Sequence, residues 1–325
     1  IHLTIYHSRQ VLLLRNELEK RLDRALNRKS PQALIAHSEI HEVIEGSPAQ
    51  NHIFIVLGSP VTEVGRDHDY DWAIVEPSSQ SSIIQLAGRV WRHRDLTLKA
   101  YPNIVLLPAP INVLSDPEID VAYCFPGYEK SPSFVLKTHR LEALMESAEY
   151  ENINATSRIC APDQILLEDG KYTRLRDLEH GIMKAHFNPD DGSVNFVNCF
   201  WRGELAHHLT VHQRIISPFR KKKEGDTGSE LFYIKLDEDS PQRMPLTIRS
   251  VAVARMDLHS RSGEANERIR ILDFPFVRNP HIDPWLAFDF EETINAFHKK
   301  LKGKDIEATA MNYAQIELEM ESYGN

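Results

Sequence analysis

The stretch Ile53-Phe54-Ile55-Val56-Leu57-Gly58-Ser59-Pro60-Val61-Thr62-Glu63-Val64-Gly65-Arg66-Asp67 decides how the first third of this chain is read. Five apolar residues in a row, rich in β-branched side chains, are too short for a buried helix and read as a strand of a parallel sheet. The run passes at Gly58 into a small polar loop, the junction at which open α/β sheets place ligands. In that loop Ser59 and Thr62 are candidate hydrogen-bonding partners for a phosphate of a nucleic-acid strand. Gly65 permits close backbone approach, and Asp67 can orient a ribose or an arginine from the next segment. An ordinary polar connection between two strands has the same composition, so the loop alone does not choose.

Working outward, three more short apolar runs have the same character: Leu3–Tyr6, Trp72–Val75 and Ile104–Leu107. Between the first run and Ile53 lies a helical pattern with Leu14, Leu18, Leu22 and Leu26 at spacing four, a stripe suited to packing on a sheet. A second helical pattern, Gln32 to Glu45, follows Pro31. Strands alternating with helices predict an α/β layer with a mostly parallel sheet over residues 1–110, closed by Pro108-Ala109-Pro110. From 111 to 325 the pattern is weaker and predicts a mixed α+β accessory domain. Helices are expected over Leu141–Met145, Leu175–Met183 and Leu205–Ile216, and strands over Leu231–Leu236 and Ile248–Ala254. Ile271–Pro284 reads as irregular, and the acidic tail from Asp305 as helical.

The bulk composition fits a soluble, globular, two-domain protein: 325 residues, 42% hydrophobic and 26% charged. No apolar run has the length of a transmembrane helix, and nothing near the start reads as a signal peptide. Opening at Ile1 inside a strand-like run, the sequence reads as a piece of something longer. Three widely spaced cysteines, Cys124, Cys160 and Cys199, fit neither a disulfide framework nor a zinc ribbon, and a reducing cytoplasm is the expected location. The net charge is −9. Up to residue 110 basic and acidic residues balance at twelve each, so the deficit lies beyond. An acidic total argues against a protein that coats nucleic acid and leaves room for a narrow basic channel.

The second decisive stretch is Ser81–Arg94, SSIIQLAGRVWRHR. Placed on a helix throughout, Gln85, Gly88, Arg89 and Arg92 share one face while Ile83, Ile84, Ala87, Val90 and Trp91 share the other. Two arginines held on a rigid element suit developing phosphoryl charge, because guanidinium forks match phosphate oxygens. A solvated helix face carrying arginine would show the same pattern. Taken together, the two stretches match superfamily 2 helicase motifs five and six, S/T…G-x-D and Q-x-x-G-R-x-x-R.

With Tyr6-His7-Ser8-Arg9, Ser59–Asp71, Trp72–Ser78 and Gln85–Arg94, residues 1–107 resemble the helicase–nuclease of type I CRISPR interference systems, most of all the fused I-F subtype. Beyond residue 107 the likeness is weaker. It implies a second RecA-like helicase domain followed by a C-terminal accessory domain, in an ATP-driven motor on single-stranded DNA. In that family a metal-dependent nuclease in the same polypeptide degrades the strand, after recruitment by a crRNA-guided surveillance complex. The CRISPR adaptation integrase and phage inhibitor proteins are further implied partners. By matched position Arg89 and Arg92 are the arginine fingers of a site for ATP with Mg2+. Gln85 and Gly88 lie at the nucleotide, Gly65 and Asp67 couple ATP to DNA, and Ser8, Arg9, Ser59 and Thr62 contact the strand.

The departures matter as much. The sequence has no G-x-x-x-x-G-K-[ST] phosphate loop and no D-E-x-H box, so this stretch alone is expected to hydrolyse no ATP and cut no DNA. Two rivals remain: another superfamily 2 ATPase, such as a repair or remodelling translocase, and a non-catalytic docking module. Asp67, Asp69 and Asp71 alternate like a calcium loop but lack its glycine and terminal glutamate. His37 and His41 lack a third ligand and a catalytic Glu between them; His207, His208 and His212 are a better metal candidate, with ordinary helix surface the favoured reading, and no metal site is assigned. The basic run Arg220–Lys223 is a candidate for backbone contact with DNA.

Overall fold

The computed structural model describes residues 1–8, 10–29, 38–63, 67–94, 102–124, 127–160, 164–187, 229–236, 251–256, 263–265, 281–286, 288, 290–302 and 305–319. Contacts group the chain into two units, Ile1–Thr62 with Lys222–Asn325, and Glu63–Lys221. These divisions fall at other places than the boundary expected near residue 110.

The first unit opens with strand β1 (His2–Tyr6), helices α1 (Leu12–Ala25) and α2 (Ser38–Glu45), and strand β2 (Phe54–Gly58). β1 and β2 pair in parallel, from His2 opposite Phe54 to Tyr6 opposite Gly58. Alternation along β1 buries His2, Thr4 and Tyr6 and leaves Ile5 exposed, as a pleated strand with one covered face requires. The apolar stripe of α1 consists of Leu13, Leu18, Leu22 and Ala25; each fully buried leucine contributes about 1.5–3 kcal/mol. The Tyr6 hydroxyl donates to Glu19 at 2.8 Å and ties β1 to α1.

The second unit holds strand β3 (Ala73–Val75), helix α3 (Gln80–Ala87) and strand β4 (Ile104–Leu106). Short helices follow: α4 (Ile111–Ser115), α5 (Leu141–Leu144), α6 (Ser147–Glu151) and α7 (Thr156–Ile159). The β5 (Leu167–Glu168) and β6 (Lys171–Tyr172) hairpin then leads into the longer α8 (Leu175–Phe187). β3 and β4 pair in parallel. The core of this unit packs Ile83 of α3 with Tyr123, Leu136, Leu141, Leu144, Tyr172, Leu175 and Leu178. Its organising polar group is Glu129, whose side chain is fully buried. Its Oε2 accepts the N–H groups of Ala122 at 2.8 Å and Tyr123 at 3.0 Å. Oε1 accepts Leu136 N–H at 2.8 Å and pairs with His139 Nε2 at 3.1 Å.

The chain returns to the first unit with strands β7 (Ser229–Leu236), β8 (Val251–Met256), β9 (Gly263–Ala265) and β10 (Asp283–Pro284), helices α9 (Phe290–Leu301) and α10 (Ile306–Tyr313), and strand β11 (Gln315–Glu319). An antiparallel sheet runs in the order β11-β7-β8-β9, and β10 pairs in parallel with β1. Ile294, Ala310, Met311 and Ala314 pack against Val11 and Leu13, so the last helices complete the core around α1. Trp285 donates its indole N–H to Glu39 O at 3.0 Å and meets Phe54 edge-on.

The architecture is mixed α/β with small parallel and antiparallel sheets. Where the sequence suggests one mostly parallel sheet, the structure hydrogen-bonds β1–β2 and β3–β4 in separate sheets. An apolar run identifies a strand and carries no record of its neighbour. Among the described residues the acidic tail is helical over Ile306–Tyr313; from Gln315 to Glu319 it is a strand, because β7 offers it an antiparallel edge. Within the nominally irregular Ile271–Pro284 stretch, Asp283 and Pro284 form β10. The Leu205–Ile216 helix, His37, the His207–His212 group and the basic run at 220–223 lie outside the described residues.

Candidate functional site

Helix α3 begins under tight control. Ser79 accepts Ser82 N–H at 3.0 Å as its N-cap, a role to which a serine hydroxyl is suited. The helix ends at Gly88, and here the structure corrects the continuous helix expected through Arg94. Arg89 and Arg92 lie on a turn beyond it. Arg89 O accepts Tyr70 N–H at 2.8 Å, and Trp91 N–H donates to Tyr70 O at 3.0 Å, forming a short parallel bridge. Trp91 itself has a left-handed backbone, φ 57°. The buried carboxylate of Asp69 accepts the N–H groups of Arg92 at 3.1 Å and His93 at 3.3 Å. These tertiary bonds outcompete helical continuation, which local periodicity cannot foresee.

Burial follows the expected division in part. Ile83 and Val90 are buried, Ile84, Ala87 and Trp91 are half-buried like Arg89, and Gln85, Gly88 and Arg92 are exposed. Arg89 Nη2 donates to Glu63 O at 2.9 Å, and its Nε is buried with no hydrogen-bond partner among the described residues. Burial, and then the charge of neighbouring Arg92, pull the Arg89 guanidinium below its ordinary pKa, against the opposing influence of Asp67 and Tyr70. Arg92 pairs through Nε with Asp67 at 2.8 Å, and His93 Nε2 meets the same oxygen at 2.9 Å. Arg94 joins Asp69 at 2.8 Å and Asp71 at 2.6 Å and lies 4.6 Å from the centre of the Trp91 ring. Asp67, Gly88, Arg89 and Arg92 therefore belong to one local assembly, with Arg92 Nη1 donating to Gly88 O at 3.3 Å, and exposed Gln85 lies one turn earlier on α3. Gly65 lies outside the described residues.

The candidate strand contacts belong to the other unit, at the C-terminal ends of β1 and β2. Ser8 N–H donates to Ser59 Oγ at 3.2 Å, and Ser59 N–H donates to Tyr6 O at 3.0 Å. Ser8 and Ser59 are thus neighbours, as two loops at one sheet end should be. Thr62 is buried, and its hydroxyl donates to Ser59 O at 3.1 Å, closing the turn after β2. Gly58 sits against Thr62 Cγ2 so closely that any Cβ would collide with it. Arg9 lies outside the described residues.

Sequence reasoning missed three contributors. Asp69 was visible as the middle of three alternating aspartates, where alternation alone separates an inward residue from two outward ones. Arg15, whose Nη1 donates to Ser8 O at 2.9 Å, sits at spacing four from Glu19. Glu63 gave no signal at all. Among the described residues no group of three His, Cys, Asp or Glu side chains is placed to hold a metal ion.

The family model for the C-terminal part of the CRISPR-associated nuclease/helicase Cas3 matches residues 1–95, which include every candidate site residue. The Pseudomonas aeruginosa CRISPR-associated nuclease/helicase Cas3 of subtype I-F/YPEST is 34% identical over 330 aligned residues, 100% of this chain. The chain belongs to the Cas3 family. The Cas3 of the same subtype from Pectobacterium atrosepticum is 45% identical over 185 residues, 56% of this chain. The chain spans 28% of the length of the first of these Cas3 relatives, and its match to the second covers 16% of that protein. The solved T. fusca Cas3-ATP structure is also similar, at 14% identity and a TM-score of 0.28, over 79% of this chain and 29% of that one. No helix among the described residues is long and apolar enough to cross a membrane.

Proposed function

We propose that this chain supplies the arginine half of an ATP site and part of a single-stranded DNA path to a CRISPR interference helicase–nuclease. In this reading residues 1–110 belong to the second RecA-like motor domain, and residues 111–325 to the accessory domain. Family membership supports the activity class, because the curated relatives are nuclease/helicases.

The observation that supports the ATP assignment is the unmet hydrogen-bonding capacity of Arg89: a buried Nε without a partner among the described residues, beside a second guanidinium whose charge disfavours its own. Phosphate oxygens satisfy both arginines at once, and guanidinium forks suit that geometry. Bound ATP supplies the phosphoanhydride whose cleavage drives the motor. Arg89 and Arg92 hold its phosphates and stabilise the charge that develops there, with Arg92 released from Asp67. Gln85 and Gly88 line the nucleotide side of the turn, while Gly65 and Asp67 lie on the segment that answers to it. The Mg2+ that accompanies ATP, and the divalent metal of the nuclease, are held by residues outside this chain.

On the strand side, Ser59 accepts from Ser8 and keeps its own O–H to donate to a phosphate. Ser8 and Arg9 flank it, and Thr62 acts by shaping the turn. Such contacts read backbone and weaken with salt. The partners are single-stranded DNA and a crRNA-guided surveillance complex, with the adaptation integrase and phage inhibitors as further ones, in the cytoplasm. By itself the chain hydrolyses no ATP and cuts no DNA.

The test is single-stranded-DNA-stimulated ATP hydrolysis by the full-length enzyme, comparing Arg89→Ala and Arg92→Ala with wild type. Loss of about a hundredfold or more with DNA binding retained supports the assignment. Unchanged hydrolysis refutes it and leaves a docking surface.

A further inference from the structure

We infer that Glu179 is a positioning residue for the arginine turn, clamping the first turn of α3 from α8 and thereby fixing where Arg89 is held. The inference rests on the reading of Arg89 as a phosphate ligand.

The first N–H groups of a helix have no partner within the helix and ordinarily turn to water. At α3 that route is closed, since Ser79, Gln80, Ser81 and Ser82 are all at most 9% exposed. Glu179, itself 2% exposed, takes over. Its Oε1 accepts Ser81 N–H at 3.1 Å, and the nearby Gln80 N–H favours the charged carboxylate against its burial. An anion here is aligned with the helix dipole. Glu179 Oε2 accepts Arg158 Nε of α7 at 2.9 Å. The Gln80 side chain donates to Glu149 of α6 at 3.0 Å and to Ser157 of α7 at 2.9 Å. Three helices of the segment beyond residue 140 thus grip one end of α3 by polar contacts.

The other end of α3 is the arginine turn. Eight residues of helix span about 12 Å, so a tilt at Ser81 is carried as a rigid displacement to Gly88. The same helix also sets what Arg89 touches. Ser82 Oγ donates to the Glu63 carboxylate, and Glu63 O receives Arg89 Nη2. Backbone and partner of the arginine are therefore both referenced to α3, and α3 is referenced to Glu179. Misplacing a catalytic group by about 1 Å can cost up to a hundredfold in rate.

The test is a double-mutant cycle in the full-length enzyme, with Glu179→Ala and Arg89→Ala alone and combined, and Glu179→Gln as the milder variant. The readouts are kcat and KM for single-stranded-DNA-stimulated ATP hydrolysis, single-stranded DNA affinity and thermal unfolding. Glu179→Ala is expected to lower kcat about tenfold, with KM and DNA affinity within about twofold, the pattern of an interaction lost at the transition state. Glu179→Gln recovers part of the loss, because its amide oxygen still accepts a backbone N–H. In the Arg89→Ala background the change at Glu179 costs nothing further, since groups acting through one another are non-additive. Should Glu179→Ala unfold the enzyme, the cycle runs on Glu179→Gln with an expected loss of about threefold. Equal losses in both backgrounds, or no loss with Arg89→Ala itself impaired, overturn the inference alone. An Arg89→Ala enzyme of normal kcat overturns the phosphate reading and the inference with it.

Discussion

Replacing Glu129 tests how the second unit is held together. The four acceptor positions of its carboxylate are all used: Ala122 and Tyr123 N–H on Oε2, Leu136 N–H and His139 on Oε1. Tyr123 and Leu136 are core residues at 0% and 2% exposure, so water cannot stand in. Glu129→Ala leaves three buried N–H groups unpaired, at about 1–3 kcal/mol each before relaxation. Allowing for local adjustment, the net loss is about 3–5 kcal/mol, the lower part of the sum for these three unpaired groups. Glu129→Gln keeps one acceptor oxygen but turns an NH2 toward donors; it should cost about half as much. Burial alone would raise the Glu129 carboxyl, yet His139 and the three backbone N–H groups outweigh it and hold its pKa below the ordinary value. A carboxylate depressed on folding stabilises above its unfolded pKa, and that contribution is lost as pH falls through the folded one. Urea unfolding of wild type and both variants, at neutral pH and in steps below pH 5, measures the loss and its disappearance in acid. Amide exchange at Ala122, Tyr123 and Leu136 localises it. A Glu129→Ala loss under about 1 kcal/mol, or the same loss at every pH, would refute the reasoning.

Two further substitutions follow from the same kind of accounting. Gly58→Ala drives a methyl into Thr62 Cγ2 and should lower stability by about 1–3 kcal/mol; Thr62→Ser in the same background should restore most of it, as thermal unfolding will report. Asp69→Asn removes one of two charged acceptors from the N–H groups of Arg92 and His93 and from Arg94. A loss of about 1.5–3 kcal/mol in stability is expected, together with lower ATP turnover by the full-length enzyme at unchanged DNA affinity; equal loss of both functions would place Asp69 elsewhere in the mechanism.

How much was legible depended on whether a feature is encoded locally. The strands β1 to β4 announced themselves as apolar runs, but not as the buried strands those runs suggest: β2 holds no buried residue, and Leu57, Ile74 and Val105 are exposed. Helix α1 announced itself as a leucine stripe, although Leu13 displaces Leu14 as the most buried residue of its first turn. The division of residues 83–92 into buried and exposed sides was also readable in part, because side-chain chemistry follows burial even where the helix has already ended. Where the helix stops was not readable. Gly88 alone is a weak terminator, and the bonds that end α3 come from Asp69 and Tyr70, some twenty residues upstream. The clamp at Ser81 was hidden for the same reason: Glu179 lies 98 residues away along the chain. Sheet partnership was readable only in its sense: β1–β2 and β3–β4 pair in parallel as expected, while a run such as Ile104–Leu106 specifies a strand but not its neighbour.

The pairing of β10 with β1 joins Asp283 to His2, and α9 and α10 complete the core around α1. During synthesis at about 5–20 residues per second, these partners arrive roughly a quarter of a minute to a minute after α1 has left the ribosome. Residues 63–221 are contiguous and can fold within that interval. The first unit must wait with the first turn of α1 uncovered, so a ribosome that stalls before residue 283 leaves residues 63–221 complete and the first unit unfinished and sticky. Chaperone dependence during expression should accordingly track the first unit, and early termination should yield aggregates built from its N-terminal segment.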